Sequence, residues 1–188
     1  MADVPATLAS VYFVAGILDR LELPYAFIGG VALNSWAVPR ATFDLDLALS
    51  IPPDRVGQVL EEFHRAGAVV DAPFARGFRD RVGGMEKIHF YLPAGSSLMA
   101  VDVFLATTPF LESVLDRRVK IDLGQGSVWV CTAADLVLFK LLADRKKDGT
   151  DVENVISVQG VPEREYLVRW AEVLGVGPRL DAVLQRHR

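Results

Sequence analysis

One stretch near the N-terminus restricts the fold more than any other: an apolar run, two glycines, and then a strand that carries two aspartates. Residues 25–28 have the length and the aromatic and β-branched content of a buried strand. Gly29 and Gly30 allow a sharp bend and let the backbone approach a ligand closely. Residues 31–38 are predicted to form a short helix that ends before Pro39. This succession indicates an α/β chain.

The second strand of this stretch, residues 43–49, carries both carboxylates on one face. Because side chains alternate along a strand, Asp44 and Asp46 point to the same side and the leucines between them to the other. Two adjacent acids repel each other, and burying them is costly unless a cation is present. Mg²⁺ prefers oxygen ligands and suits such a pair, particularly where substrate phosphates complete its coordination. The N–H groups at a helix start beside Gly29 and Gly30 are suited to bind phosphate.

In this order of features the stretch resembles the first motif of the DNA-polymerase-β-like nucleotidyltransferase superfamily, and more narrowly the small prokaryotic branch around the AbiEii-type toxins. The shared pattern is an apolar strand, Gly-Gly, a short helix, Arg-x-Thr at residues 40–42 and Asp-x-Asp at residues 44–46. Many superfamily members have Gly-Ser where this chain has Gly29-Gly30, which leaves phosphate binding to the backbone. The resemblance implies the nucleotidyltransferase fold, a mixed twisted α/β (α+β) sheet flanked by helices, with a C-terminal helical part.

The resemblance also implies a third acid on a later strand of the same sheet. Asp102 interrupts the apolar strand 98–105, where a lone carboxylate needs a partner or a cation. Asp122 is the alternative, but a glycine follows at once and Lys120 shares its face, which indicates a strand end paired with its neighbour. The predicted ligands of a two-ion Mg²⁺ site are therefore Asp44, Asp46 and Asp102.

A second constellation lies in the C-terminal half. Thr132 and Asp135 form a capping box that predicts an apolar helix through residue 143, interrupted by Lys140. Lys140 is either a lysine whose ammonium reaches the surface or a cation for the triphosphate. The AbiEii-like branch has Lys-Leu-x-Ala, basic residues and Asp-x-x-Asp in this order, as residues 140–151 do here. The resemblance thus implies the second role.

Asp151 has two interpretations. Thr150-x-x-Glu153 has the form of a capping box, which would place Asp151 in the first turn of a helix for structural reasons alone. The resemblance makes it a candidate active-site acid that orients Lys140 or a nucleophile. We include it with Gly29, Gly30, Arg40 and Lys140 among the predicted nucleotide-binding residues, and we expect Lys140, with Arg40 assisting, to neutralise the leaving pyrophosphate.

Other charged residues have a simple and a functional interpretation. His89 alternates with inward-facing residues beside Lys87 and Tyr91, so we expect a solvated side chain, with a catalytic base as the alternative. Two basic clusters are solvated faces or binding patches. Their members are Arg76, Arg79, Arg81 and Lys87 in the first, and Arg145, Lys146 and Lys147 in the second.

The remaining pattern predicts helices over residues 5–20, 54–66, 162–174 and 178–187, with Pro5 at the first helical position and Asp54 as an N-cap. We predict two parts: residues 1–131 as a nucleotidyltransferase core, and residues 132–188 as a helical part packed on it.

Composition indicates the class of protein and the cellular compartment. With 51% hydrophobic and 23% charged residues among 188, the chain is globular rather than disordered. Its net charge of -4 argues against broad nonspecific binding to nucleic acid. No apolar run reaches the length of roughly 20 residues that a membrane span needs, and the N-terminus lacks a signal-peptide pattern. The single cysteine, Cys131, fits a reducing compartment, so we expect a cytoplasmic protein.

The predicted activity is transfer of a nucleoside monophosphate from a nucleoside triphosphate to an acceptor hydroxyl, with release of pyrophosphate. By resemblance the acceptor is an RNA 3′ end, a protein side chain or a small molecule, and toxin-like members have a neutralising partner protein. Two alternatives stay open: a module of this fold that binds nucleotide or a partner without catalysis, and a metal-dependent phosphohydrolase that uses the same acids.

Overall fold

A computed structural model describes residues 6–82 and 84–187, in which one mixed sheet is flanked by helices. The strands are β1 (Tyr25–Phe27), β2 (Asp44–Leu49), β3 (Val69–Val70), β4 (Asp80–Val82), β5 (Met85–Ala94), β6 (Ser97–Leu105), β7 (Val119–Asp122) and β8 (Ser127–Val130). The helices are α1 (Ala6–Arg20), α2 (Gly29–Trp36), α3 (Val56–Arg65), α4 (Ala72–Ala75), α5 (Pro109–Arg117), α6 (Ala133–Ala143), α7 (Lys146–Gln159), α8 (Arg164–Val173) and α9 (Gly177–Arg186). The predicted helix start at Pro5 lies outside the described residues.

The strand order across the sheet is β3-β5-β6-β2-β1-β8-β7, with β4 paired to β5. Strands β2 and β6 run parallel at its centre, whereas β5 is antiparallel to β6 and β1 is antiparallel to β2. Mixed pairing of this kind, with helices packed on the sheet, is the predicted fold class, which is confirmed.

The strand register aligns three polar residues in one row. His89 of β5 lies directly opposite Asp102 of β6, and Asp102 lies directly opposite Asp46 of β2. Directly opposed residues of paired strands project to the same face, so these three side chains share one face of the sheet. Leu45 and Leu47 project to the other face and are fully buried, as the alternation in the sequence predicts.

Helix α6 is almost completely buried between the sheet and the helices of the C-terminal part. It packs against α2, α7 and α8, and every residue from Ala133 to Leu141 is buried. An apolar helix of this kind needs no polar face because neighbours cover it on all sides. The helical residues after 131 thus pack on α2 of the preceding part, while the division into a core and a helical part stays a prediction.

Three predicted helix starts differ from the structure. Helix α2 begins at Gly29 rather than after the glycine pair. Asp54 lies within a short 3-10 turn, and the N-cap position of α3 belongs to Arg55. Helix α7 begins at Lys146, one turn before the predicted capping box at Thr150, because the carboxylate of Asp148 already accepts the N–H of residue 145. The predicted capping box at the start of α6 is confirmed.

A further property concerns membranes. Within residues 6–82 and 84–187, each helix is too short or too polar to cross a bilayer.

Candidate active site

A cavity of about 350 Å³ lies between the polar face of the sheet and the end of α6. The glycine bend forms one end of it, acids of β2 and β6 its floor, and basic and apolar side chains its walls. The lining residues are Ile28, Gly29, Asp46, Met85, Lys87, Asp102, Phe104, Phe139, Lys140, Leu142, Ala143 and Arg145.

The glycine pair is required by the side chains that pack against it. Gly29 has a positive φ of 56°, and a Cβ there would lie 2.1 Å from Oδ2 of Asp46. A Cβ on Gly30 would lie 2.3 Å from Oγ1 of Thr42. Real Cβ atoms do not approach other atoms so closely, so both positions exclude any larger residue. The start of α2 therefore lies directly against the segment that carries the two acids.

Thr42 holds the first acid in place. Its hydroxyl donates a hydrogen bond of 2.9 Å to Oδ1 of Asp44, and the side chain is largely buried. The preceding Arg40 is fixed through its backbone, because the side-chain amide of Asn34 accepts its N–H at 2.9 Å and donates to its carbonyl at 3.0 Å. Residues 34, 40 and 42 thus set the entry of the chain into β2.

Asp46 lies in an environment that disfavours its charge. Burial, together with the neighbouring carboxylates of Asp44 and Asp102, raises its pKa to about 6, while Arg145 and Lys140 oppose the shift. The acids are therefore close enough to repel one another, as the strand pattern predicted. A cation bound among them would relieve this repulsion.

Asp102 has partners of its own on the adjacent strand. Nζ of Lys87 lies 3.1 Å from its Oδ1, and the ring nitrogen Nδ1 of His89 lies 2.6 Å from the same oxygen. The side chains of Lys87 and His89 are only 15% and 16% exposed. The expectation of a solvated His89 is wrong, because the hairpin register places the ring directly opposite the carboxylate.

On the opposite wall, five charged residues of alternating sign form a chain of ion pairs. Lys140 donates to Oδ1 of Asp148 at 2.9 Å and to Oδ2 of Asp151 at 2.7 Å. Asp148 also accepts from the guanidinium of Arg145 at 2.8 Å, and Asp151 accepts from Arg40 at 2.9 and 3.1 Å. The surface interpretation of Lys140 is wrong, since its side chain is 4% exposed.

The two acids of this chain of ion pairs are held in their charged form. Burial pushes the pKa of Asp148 upward, but hydrogen bonds from Arg145 and Lys140 outweigh it, and the pKa lies below its usual range. The pKa of Asp151 is lowered in the same way, with hydrogen bonds from Arg40 and Lys140 overcoming the effect of burial. Lys140 is therefore a cation held in one position by two carboxylates.

The structure brings some of the predicted site residues together and separates others. Gly29, Asp46, Asp102 and Lys140 line the cavity. Gly30 and Asp44 lie just behind its glycine and acid walls, against Thr42. Arg40 and Asp151 lie behind Lys140, and Arg40 borders a second cavity, of about 520 Å³, at the start of β2. These positions favour an indirect role of Arg40 and Asp151, through Lys140, over the predicted contact with nucleotide.

The acids fit Mg²⁺ by their chemistry. They offer hard oxygen donors on one face, and the raised pKa of Asp46 reports a site that gains from a cation. Among the side chains that the structure describes, in residues 7–79 and 84–187, however, no three acidic, histidine or cysteine side chains already stand close enough together to form a metal site. Asp102 meets Lys87 and His89 instead, so the third ligand has a competing partner.

Sequence reasoning missed four residues of this region: Asn34, Thr42, Lys87 and Arg145. Thr42 had a signal, because it is the last residue of the Arg-x-Thr pattern two positions before Asp44. Lys87 also had one, because it shares a strand face with His89 and so with the row that contains Asp102. Nothing in the sequence pattern pointed to Asn34, and Arg145 was noted only among the basic residues of the 140–151 pattern, without a role of its own.

Comparison with known proteins identifies a family and structures of similar fold. The model of the AbiEii family, described as nucleotidyl transferase AbiEii toxin of type IV toxin–antitoxin systems, matches residues 14–163. A search of curated proteins returned no match.

Among solved structures, an antigenic nucleotidyltransferase-like protein from Paracoccidioides brasiliensis is similar with a TM-score of 0.54 at 20% identity, covering 98% of this chain and 93% of that one. The lincosamide antibiotic adenylyltransferase LnuA, solved with lincomycin, has a TM-score of 0.55 at 10% identity and coverage of 80% and 97%. ANT(2")-Ia in complex with adenylyl-2"-tobramycin has a TM-score of 0.54 at 16% identity and coverage of 86% and 93%. At these identities the likeness concerns the fold.

Proposed function

Since this chain belongs to the AbiEii nucleotidyl transferase toxin family, we propose that it uses Mg²⁺ to transfer a nucleoside monophosphate from a nucleoside triphosphate to an acceptor hydroxyl, with release of pyrophosphate. Nucleotidyl transfer is the activity of the family; the metal, the residues and the acceptor are the parts proposed here. The observation that carries the proposal is one cavity in which the acids Asp46 and Asp102 face Lys140 beside a glycine bend.

Three carboxylates are assigned to the metal: Asp44, Asp46 and Asp102. Mg²⁺ bound there supplies charge stabilisation for the entering and leaving oxygens and lowers the pKa of the attacking hydroxyl. Asp46 contributes a carboxylate that would gain from a bound cation, since its charge is disfavoured by burial and by its two acidic neighbours. Thr42 keeps Asp44 in place through the hydroxyl bond.

Phosphate binding is assigned to the bend and to the opposite wall. The first N–H groups of α2, at Gly29 and Gly30, have no partner within their own helix, and the helix dipole favours an anion there. Lys140 lines the cavity and is assigned to the leaving pyrophosphate. Because Asp148 and Asp151 hold its ammonium in position, the charge needs little reorganisation during the reaction.

Arg40 acts in this proposal through Asp151. Its guanidinium makes two hydrogen bonds to that carboxylate, and Asp151 in turn holds Lys140. The predicted assistance to pyrophosphate is thus assigned to positioning of the lysine rather than to direct contact. Asp151 has the same role, which corresponds to one of the two interpretations of its sequence position.

For the acceptor and for the partner, the proposal names a chemical class and not an individual molecule. An RNA 3′ end, a protein side chain and a small molecule each carry a hydroxyl of the required kind. The family's description as a toxin of type IV toxin–antitoxin systems supports a second, neutralising protein. A reducing cytoplasm, expected from the composition, stays a prediction.

The test is transfer of label from each α-labelled nucleoside triphosphate, in the presence of Mg²⁺ and a cell extract. We expect the isosteric variant Asp46→Asn to transfer label at least about 100-fold more slowly, because it removes a ligand that acts in the transition state. Asp122→Asn is the matched control, since Asp122 is exposed on β7 and only accepts a turn hydrogen bond from residue 124. Equal rates in wild type and Asp46→Asn would show that the acid assignment is wrong.

A further inference from the structure

Asp102 already has a cation beside it that comes from the chain itself. We propose that Lys87 is the built-in counter-ion of Asp102, and that it leaves Asp102 for a substrate phosphate once Mg²⁺ binds the acids. The inference rests on the proposed function and adds to it a substrate-binding residue that lies in neither sequence motif.

The position of Lys87 allows both partners. It lies on β5, its Nζ is 3.1 Å from Oδ1 of Asp102, and it lines the same cavity as Asp46 and Lys140. Its side chain is 15% exposed, so the ammonium is held inside the cavity mouth rather than in bulk water. When it leaves Asp102, its flexible four-carbon stem keeps it within the cavity.

Counting contacts between side chains that the structure describes, Lys87 has the weakest attachment of the three basic residues that line the cavity. Lys140 donates to two carboxylates, and Arg145 makes two side-chain hydrogen bonds and one backbone hydrogen bond to Asp148. Lys87 meets one oxygen of Asp102, which it shares with His89. The carboxylate keeps its hydrogen bond with His89 and its partial exposure to solvent when Lys87 moves away.

Electrostatics makes the exchange favourable. A divalent cation at the acids and an ammonium at hydrogen-bond distance from one of them repel each other, and this repulsion is strong where water is partly excluded. A triphosphate in the same cavity attracts the displaced ammonium. Lys87 therefore opposes metal binding while the substrate is absent and supports phosphate binding once the metal is present.

The experiment measures these two effects separately with Lys87→Met, which keeps the length of the stem and removes the charge. Titration calorimetry first gives the dissociation constant of Mg²⁺ alone, and then that of inorganic tripolyphosphate at saturating Mg²⁺. We expect Mg²⁺ to bind about tenfold more tightly and tripolyphosphate about tenfold more weakly than in wild type. Lys87→Arg should restore both constants, and Lys120→Met, at an exposed lysine of β7, should change neither.

Opposite shifts of the two constants are the signature of the exchange. If Lys87→Met weakens both ligands, Lys87 has a merely structural role, and if it changes neither, Lys87 has no role at this site; each result overturns the inference. Asp46→Asn tests the proposed function independently. Loss of Mg²⁺ binding in Asp46→Asn with unchanged constants in Lys87→Met removes the inference alone, whereas wild-type Mg²⁺ affinity in Asp46→Asn removes the proposed site as well.

Discussion

The two walls of the cavity use aspartates in opposite ways. On the sheet, Asp46 is surrounded by other acids, and burial together with those acids raises its pKa to about 6. On α7, Asp148 and Asp151 are also shielded from solvent, yet the pKa of each is lowered. The difference lies in the partners: the acids of α7 alternate with three cations of the chain, whereas Asp46 has acids as its nearest charged neighbours.

On the wall formed by the chain of ion pairs, cations of the protein itself neutralise the carboxylates. On the wall formed by the sheet, an external cation would be needed to neutralise them. Lys140, Arg40 and Arg145 carry three positive charges against the two carboxylates of α7, so that wall is fixed and slightly positive. Of the three acids Asp44, Asp46 and Asp102, only Asp102 has ion pairs among the side chains that the structure describes. A rigid positive wall facing acids of this kind suits a ligand that combines a metal ion with phosphates.

The largest expected effect comes from removing Lys140 of α6, the central cation of the chain of ion pairs. Lys140→Met leaves the carboxylates of Asp148 and Asp151 facing each other without their shared ammonium, so we expect the free energy of unfolding to fall by about 3–5 kcal/mol. Lys147→Met, at an exposed position of α7, should change it by less than about 0.5 kcal/mol. Urea unfolding followed by circular dichroism measures both. If Lys140→Met loses little unfolding free energy, the carboxylates of Asp148 and Asp151 do not depend on the shared ammonium as their ion pairs indicate.

Next in size is the glycine that brings the sheet acids against α2. Gly29→Ala should cost about 3 kcal/mol of unfolding free energy, because it combines a positive φ with a Cβ placed 2.1 Å from Asp46. Gly67→Ala is the matched control, since Gly67 has a φ of 98° with open space around its α-carbon. It should lose only about 1 kcal/mol, from backbone strain alone. Equal losses in thermal unfolding would mean that Asp46 moves aside freely.

The smallest and most informative effect is a difference between the two walls in how the free energy of unfolding depends on pH. A raised pKa means that the folded protein binds a proton more readily, so Asp46 costs stability as pH rises from about 4 through about 6. Asp46→Asn should therefore be more stable than wild type by about 1–2 kcal/mol at pH 8 without added metal, and this gain should vanish near pH 4. A variant less stable than wild type at pH 8 would contradict the shift.

Asp148→Asn is the counterpart and should have the opposite sign. Because its pKa is lowered in the folded protein, the charged Asp148 stabilises the fold at pH values above the ordinary pKa of an aspartate. This contribution is lost as the pH falls through the lowered pKa. We expect a loss of about 2 kcal/mol at pH 7 that closes below about pH 4. Chemical unfolding across the same pH series measures both variants, and a shared sign would remove the contrast between the walls.

The local pattern was enough to predict the elements that carry the acids. Alternation along β2 placed Asp44 and Asp46 on one face, and the lone charge in β6 indicated Asp102, which the register aligns with Asp46. The capping box at Thr132 marked the start of α6. These predictions succeeded because each depends on neighbours within one strand or one helical turn.

Two errors came from signals that the rest of the fold overrides. The capping-box pattern at Thr150 was misleading, since burial of Asp148 beside Lys140 starts α7 a turn earlier. His89 was expected in solvent because it shares a strand face with the polar residues Lys87 and Tyr91. Pairing in the hairpin continues to Ala94 and Ser97, and that register puts His89 opposite Asp102.

The sequence by itself determined three local features: a glycine pair, acids spaced for one strand face, and a lysine in an apolar helix. Tertiary structure alone decided which charge meets which. Arg40 pairs with Asp151 across 111 residues because α7 packs against α2, and Lys87 meets Asp102 because a hairpin register aligns them. Ion pairing depends on distances between separate elements, and no period within a single element encodes those distances.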